Sequence, residues 1–168
     1  MPNDDNGQRP VQATTVRTPE SERYTASYRA IAADGAVKVY NGAGCLCVSL
    51  PMSFDLMSPA FSSVDMVAAA VASEVLLCIE KEFARRKEDL MDLEGRAYLD
   101  IANPLAALNV VGITGSPAIE RIGIDVYLFT FLEEDEAKEV IEAGLVHAVL
   151  YQSLQAAFPV DLRVSFAQ

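Results

Sequence analysis

The sequence predicts a single α+β domain with an N-terminal β-meander, two long helices, and strands between and after those helices. Short alternating segments, rich in β-branched and small residues and separated by glycine turns, occupy residues 23–50. Two long and mostly apolar segments, residues 64–86 and 133–158, have the lengths of helices. No repeat and no linker interrupts the chain after residue 22. We therefore expect one domain over residues 23–168, preceded by a flexible leader at residues 1–22, which are polar and show no sustained period.

Composition limits the classes of partner. The 168 residues are 51% hydrophobic and 22% charged, which suits one globular domain. The net charge of -11 repels nucleic-acid backbones and anionic membrane surfaces, so we expect neither as a partner. Three cysteines make an odd count, and no secretory signal pattern is recognised, so a cytoplasmic location is expected. The longest apolar segment, residues 64–79, contains Asp65 and Glu74 and is shorter than the roughly 20 residues of a membrane span.

The first half of the domain reads as a meander followed by a helix. Alternation in "RYTASYRAIA" predicts a strand, "ADG" a turn, and "AVKVYNGAG" with "CLCVSL" two further strands around a second glycine turn. Residues 51–59 are predicted to form a loop. Ser62 or Ser63 is a suitable N-cap with Asp65 near the positive end of the helix dipole, and this helix should end near Arg86.

The second half predicts two strands, a second helix and a final strand. "DLEGRAYLDIAN" is typical of a strand, and "AIERIGIDVYLFTFL" of a long strand with one apolar face: Ile122, Ile124, Val126 and Leu128. "EEDEAKEVIEAGLVHAVLYQSLQAAF" has acids in its first turns and is predicted to be one helix that Pro159 ends. "VDLRVSF" closes the chain as a strand.

Both predicted helices contain stretches that are apolar around nearly their full circumference. The few strands of one chain do not supply cover for every side, so a homodimer is expected. A monomer that wraps its sheet around one helix is the alternative. The connection "PLAALNVVGITGSP" is too apolar for a free surface loop, and we expect it to pack over a pocket mouth or onto a partner subunit.

The order of these elements and several local strings resemble the OsmC/Ohr family, the osmotically inducible and organic hydroperoxide resistance proteins. "YTASYRAIAADGAVKVYNGAGCLCVSLP" is similar to the opening meander of that family, and "SSVDMVAAAVAS" to the start of its central helix. The last helix, Pro159 and "VDLRV" are similar to its end. The resemblance covers about residues 23–166 and implies a single OsmC-like domain in an intertwined homodimer.

The resemblance also implies where the chemistry of the family would lie. A reactive cysteine on the first helix would fall on Glu74, and a resolving cysteine on the last helix would fall on or near Ala148. The activating Arg would fall near Ala33, and the activating Glu near Val64, one residue from Asp65. All four positions differ from the family pattern. The chain is therefore interpreted as a divergent member that lacks both family cysteines, and its peroxidase activity is doubtful because a carboxylate has no thiol chemistry.

The three cysteines of the chain are the candidates for replacing that chemistry. Cys78 lies four residues after Glu74 on the same helical face, where the carboxylate would oppose thiolate formation. Cys45 and Cys47 share one face of a strand, with Cα atoms roughly 6.5 Å apart, which suits a disulfide poorly. We expect all three to be small buried hydrophobes. An atypical organic hydroperoxide reductase of oxidative stress defence that uses Cys78 remains the alternative function.

Glu74 needs a polar partner if it is buried. His147, the only histidine, lies beside Ala148, and Tyr151 follows one helical turn later. One hypothesis is a pocket of Glu74, His147, Tyr151 and Asp65 at the subunit interface, which binds a small apolar or hydroperoxide ligand or performs acid/base catalysis through Glu74 and His147. The other is that these groups only satisfy one another at a dimer interface. No cofactor and no metal are expected, because one His and one Glu per chain make a poor ligand set.

Overall fold

The computed structural model describes residues 24–55 and 57–167, so the leader predicted at residues 1–22 lies outside the described residues. Four helices and six strands follow one another in the described chain: β1 (Arg29–Ala33), β2 (Ala36–Tyr40), β3 (Cys45–Val48), α1 (Ser63–Arg86), β4 (Leu90–Ala102), α2 (Pro104–Ala107), β5 (Ala118–Thr130), α3 (Glu134–Leu145), α4 (Val149–Gln155) and β6 (Val160–Phe166). The strands form two three-stranded sheets, so the predicted α+β class is confirmed.

The first sheet is the predicted meander, with antiparallel strands in the order β1-β2-β3. Asp34 and Gly35 both have positive φ angles, 54° and 75°, which is the backbone of the tight two-residue turn that joins β1 to β2. At the next turn the Gly44 N–H donates to Asn41 Oδ1 at 2.8 Å. Local turn chemistry therefore fixes the register of this sheet.

The two faces of the meander differ in polarity. Residues that pair directly across antiparallel strands share a face. One face, here the apolar face of the meander, carries Ala30, Ala32, Val37, Val39, Leu46 and Val48. The opposite face, here the polar face of the meander, carries Arg29, Ile31, Ala33, Ala36, Lys38, Tyr40, Cys45 and Cys47.

The meander is joined to the rest of the chain near the start of α1. Leu50 and Ser62 form an isolated parallel bridge, and the Ser63 hydroxyl donates to the Pro51 carbonyl at 2.9 Å. Every residue of β1 is exposed. The apolar face of the meander is thus left without a packed core of its own.

Helix α1 begins and ends as predicted. Ser62 is its N-cap in a capping box, and Lys87 ends the helix in the left-handed conformation with φ 63°. One side of the helix is buried, through Val71, Val75, Ile79, Glu82 and Phe83. Within a single chain the other side, which includes Ser73 and Leu77, is exposed, so the expected cover on every side is not provided by the chain itself.

The second sheet supplies the surface on which the helices pack. Its order is β4-β5-β6, with β4 antiparallel and β6 parallel to the central strand β5. The predicted apolar face of β5 is confirmed, because Ile122, Ile124, Val126 and Leu128 are at most 1% exposed. They form one core with α1, α3 and α4.

The second long helix is broken, contrary to the sequence prediction of one helix over residues 133–158. α3 ends at Leu145 and α4 begins at Val149, and Ala148 between them has ψ 96°, outside the helical region. The break frees the first N–H groups of α4 from helical carbonyl partners. Two of these N–H groups donate instead to the side chain of Glu74 in α1.

The connection between β4 and β5 forms the short helix α2 and a series of turns. Its apolar side chains are exposed within the chain, and Val111 is 98% exposed. None of them belongs to the buried core of the described chain, and packing over a pocket mouth or onto a partner subunit remains a prediction. In the described part of the chain, no helix is both long and apolar enough to cross a bilayer.

Candidate functional site

Glu74 lies in the middle of α1, half-buried between the fully buried Val71 and Val75. Its Oε2 atom accepts hydrogen bonds from the backbone N–H groups of Leu150 and Tyr151, at 2.7 and 3.0 Å. These contacts join residues 76 and 77 positions apart in the sequence. Glu74 therefore fixes the start of α4 to the middle of α1.

This contact has the geometry of a helix cap supplied by another helix. Ala148 is the N-cap residue of α4 and makes no side-chain cap hydrogen bond. Leu150 and Tyr151 are then the second and third residues of the helix. In other helices the N–H groups at these positions donate to the side chain of an N-cap Ser or Asp. A carboxylate at this end is also favoured by the positive end of the helix dipole. The carboxylate within an apolar helix thus has a structural partner.

His147 and Tyr151 do not bind Glu74 through their side chains. His147 is exposed, and among residues 24–55 and 57–167 no hydrogen bond joins its imidazole to the Glu74 carboxylate. Tyr151 contacts Glu74 through its amide. Burial raises the pKa of the Tyr151 phenol, and a hydrogen bond with Gln155 partly opposes that rise. A single chain therefore does not assemble the acid, imidazole and phenol into one pocket.

Asp65 lies at the start of α1, away from Glu74. Its Oδ2 accepts the Ser62 N–H at 2.8 Å, while its own N–H donates to Ser62 Oγ at 3.2 Å. It lies nine positions before Glu74 in the helix, about 13 Å away along the axis. Asp65 belongs to the capping box, and within one chain it does not line a site with Glu74.

Cys78 is half-buried one turn after Glu74. Burial, and then the negative charge of Glu74, raise the pKa of the Cys78 thiol, while Lys81 partly opposes them. The predicted effect of Glu74 is confirmed. A thiol that resists deprotonation is a weak nucleophile, so the environment of Cys78 is unfavourable for peroxide chemistry.

Cys45 and Cys47 are exposed, and the expectation that they are buried is wrong for the single chain. They lie on the edge strand β3, on the polar face of the meander, opposite Tyr40 and Lys38 of β2. The alternation of the strand explains this placement, because Leu46 and Val48 point to the apolar face.

A buried carboxylate that the sequence reasoning missed is Glu82, which is 4% exposed. The Arg85 Nε donates to its Oε2 at 2.7 Å, and the Arg86 Nε donates to its Oε1 at 2.8 Å. These hydrogen bonds, from Arg85 and then Arg86, lower the Glu82 pKa to about 2. The string "EKEFARR" carries the signal, since its spacings of three and four residues place both guanidinium groups beside the carboxylate. This cluster is a structural ion-pair network.

A groove of about 740 Å³ runs between α1 and β4. Leu76, Leu77, Phe83, Leu90, Met91 and Leu93 supply its apolar lining, and Glu80, Glu88 and Asp92 its acidic groups. Glu74 does not line it. The groove extends along the exposed side of α1.

The structure is similar to solved structures of known proteins. An OsmC-like protein from Mycoplasma pneumoniae aligns with a TM-score of 0.68 and 13% identity, over 86% of this chain and 99% of its own. An organic hydroperoxide resistance protein OsmC from Legionella pneumophila gives 0.62 and 17%, over 84% and 97%. OhrB of Bacillus subtilis, an organic hydroperoxide resistance protein, gives 0.59 and 14%, over 84% and 98%.

The chain has the OsmC-like fold. The fold predicted from the sequence strings is thereby confirmed. No protein-family model matches the sequence, and no curated protein matches it either.

The OsmC-like fold brings together the two positions that the sequence resemblance aligned with family cysteines. Glu74 binds the second and third amides of α4, and Ala148 is the residue that precedes this helix.

Proposed function

We propose that this chain is a homodimeric OsmC-like protein that binds a small apolar ligand at its subunit interface and does not reduce hydroperoxides through a thiol. The observation that carries the proposal is the Glu74 carboxylate, which stands at the position aligned with the reactive cysteine and is bound to the amides of α4.

The chain lacks the pair of thiols that reduction of a hydroperoxide would use. In thiol-dependent reduction of a hydroperoxide, a thiolate attacks the O–O bond, which leaves a sulfenic acid and an alcohol. A second thiol then condenses with the sulfenic acid to give a disulfide and water. Glu74 supplies no sulfur, Ala148 supplies no resolving thiol, and the pKa of Cys78 is raised. OsmC from Legionella pneumophila and OhrB from Bacillus subtilis are named for organic hydroperoxide resistance, and this chain would share their fold without reducing hydroperoxides through a thiol.

Dimerisation is supported by apolar surface that the chain leaves exposed. Leu77 is 52% exposed on the outer side of α1, and the apolar face of the meander has no packed core beneath it. The connection after β4 adds exposed Leu105, Leu108, Val110, Val111 and Ile113. A second copy that covers these surfaces would bury them as an obligate interface does.

Ligand binding is supported by the second oxygen of Glu74. Both hydrogen bonds from α4 reach Oε2, and within the described chain Oε1 accepts none. An apolar molecule with one hydroxyl or hydroperoxyl group could donate to Oε1 while the interface covers its apolar part. Such a ligand would bind at the subunit interface, near His147, Tyr151 and the α1 surface, and would leave unreduced.

Cumene hydroperoxide tests the proposal because it is apolar, donates one hydrogen bond and oxidises peroxidatic thiols. The reduced full chain is mixed with it, and free thiols and melting temperature are followed. We expect a raised melting temperature, weaker stabilisation in Glu74→Gln, and no rapid loss of a thiol. Rapid loss of one thiol that disappears in Cys78→Ser and persists in Cys45→Ser would establish the peroxidase alternative instead.

A further inference from the structure

Cys45 and Cys47 form a dithiol that the proposed function does not use. Both are free and exposed on β3, the edge strand of the meander. They are two residues apart on one strand, so their side chains project from the same face. The register places both on the polar face of the meander.

This placement keeps the two thiols open to solvent even if a second chain packs on the meander. A partner that buries apolar surface would cover the opposite face, which carries Val37, Val39, Leu46 and Val48. The cysteines instead share their face with Lys38 and Arg29. The dithiol would therefore stay exposed in such a dimer.

The spacing of the thiols disfavours a disulfide and favours a bridging metal ion. A disulfide requires sulfur atoms about 2.05 Å apart and Cβ atoms that point toward each other. Side chains at positions i and i+2 of a strand run parallel, with Cα atoms roughly 6.5 Å apart, near the upper limit for a disulfide, so they meet that requirement poorly. A metal between two sulfurs spans about 4.6 Å, taking each metal–sulfur bond as roughly the 2.3 Å found for zinc.

The ligand set selects the kind of metal. Tetrahedral Zn²⁺ needs four ligands, and the described residues contain no group of three or more His, Cys, Asp or Glu side chains that could hold a metal. Soft thiolates prefer Cu⁺, which accepts two sulfur ligands in a linear arrangement. We propose that Cys45 and Cys47 form a two-thiolate site for Cu⁺ on the polar face of the meander.

The charge balance agrees with this assignment. Binding of Cu⁺ by two thiols releases two protons and leaves a bis-thiolate complex of charge −1. Lys38 lies directly opposite Cys47 on β2, and Arg29 lies on the same face one strand farther away. In a chain with a net charge of -11, these cations are a local source of compensating positive charge.

The test is a Cu⁺ competition titration of the reduced full chain without oxygen, with bicinchoninate as the competing chelator. One Cu⁺ per chain should transfer to the protein, with ultraviolet thiolate-to-copper absorption. Cys45→Ser and Cys47→Ser should each abolish the transfer at the same chelator concentration, whereas Cys78→Ser should bind like wild type. Circular dichroism of each variant checks that the exposed Cys→Ser changes leave the fold intact.

Three results would overturn the site: copper transfer that persists in the Cys45→Ser/Cys47→Ser double variant, loss of transfer in Cys78→Ser, or half a copper per chain, which would mean bridging between copies. Lys38→Met should weaken binding a few-fold, and an unchanged affinity would contradict the charge argument. None of these results depends on the function proposed for Glu74.

Discussion

At the scale of single residues, Glu74 acts by accepting hydrogen bonds from two backbone amides at the start of α4. An N-cap substitution that removes the acceptor typically costs about 0.5–2 kcal/mol. We expect Glu74→Ala to lower the free energy of unfolding by about that amount, because the N–H groups of Leu150 and Tyr151 lose their acceptor. Glu74→Gln keeps a carbonyl oxygen and should lose less.

Urea unfolding of the two Glu74 variants measures this difference. His147→Ala is the matched control, since His147 is exposed and a surface change usually stays within about 0.5 kcal/mol. An equal loss in His147→Ala and Glu74→Ala would show that the imidazole, rather than the helix amides, is the partner of Glu74.

Glu82 gives a pH-dependent prediction at the same scale. Its pKa falls from 4.5 to about 2 on folding, because Arg85 and then Arg86 bind its carboxylate. A lowered pKa means that the unfolded chain binds the proton more readily. The stability contributed by Glu82 is therefore complete above pH 4.5 and is lost as the pH falls toward 2.

Unfolding curves collected between pH 7 and pH 3 check this window. Glu82→Gln should be less stable than wild type at pH 7, and the difference should shrink as the pH is lowered. A stability difference between wild type and Glu82→Gln that stays constant from pH 7 to pH 3 would contradict the prediction. It would mean that the Glu82 carboxylate has the same pKa in the folded and the unfolded chain.

At the scale of elements, the contact of α1 with α3 depends on Gly144. A Cβ atom at this position would lie 2.8 Å from the backbone oxygen of Cys78 and 3.2 Å from Glu82 Cβ. Gly144→Ala should force the helices apart and destabilise the chain by about 1–3 kcal/mol, as overpacking does.

Gly123→Ala is the matched control for that prediction, because its nearest contact, with the Tyr98 ring, would be an ordinary 3.4 Å. Thermal unfolding compares the two variants. A Gly144→Ala melting temperature equal to that of Gly123→Ala would contradict the tight crossing of α1 and α3.

Also at this scale, the elements that the sequence predicted correctly are those with local signals. The N-cap of α1 and the apolar face of β5 follow from residues close together in the sequence. The break before α4 could not be predicted in this way, because the carboxylate that stabilises it lies 76 residues earlier. The face on which Cys45 and Cys47 lie follows from their alternation with Leu46 and Val48. Their exposure does not follow from it, since Leu46 on the opposite face is 44% exposed as well.

At the scale of the whole molecule, the exposed apolar surfaces predict a dimer. Light scattering should report about twice the chain mass of 18.2 kDa. Leu77→Glu places a charge on the exposed side of α1 and should shift the mass toward one chain, because an unpaired buried charge is costly. Glu139→Lys, at an exposed position of α3, should leave the mass unchanged. A wild-type chain that stays monomeric at micromolar concentration would refute the interface.

At the start of α4 the Glu74 carboxylate takes the place of an N-cap side chain. Hydrogen exchange of individual backbone amides tests it most directly, since Leu150 and Tyr151 donate their N–H groups to Glu74. In Glu74→Ala these two amides should exchange much faster, while amides in the centre of β5, such as that of Ile124, should change only as far as overall stability changes. Equal protection of Leu150 and Tyr151 in wild type and Glu74→Ala would contradict the claim.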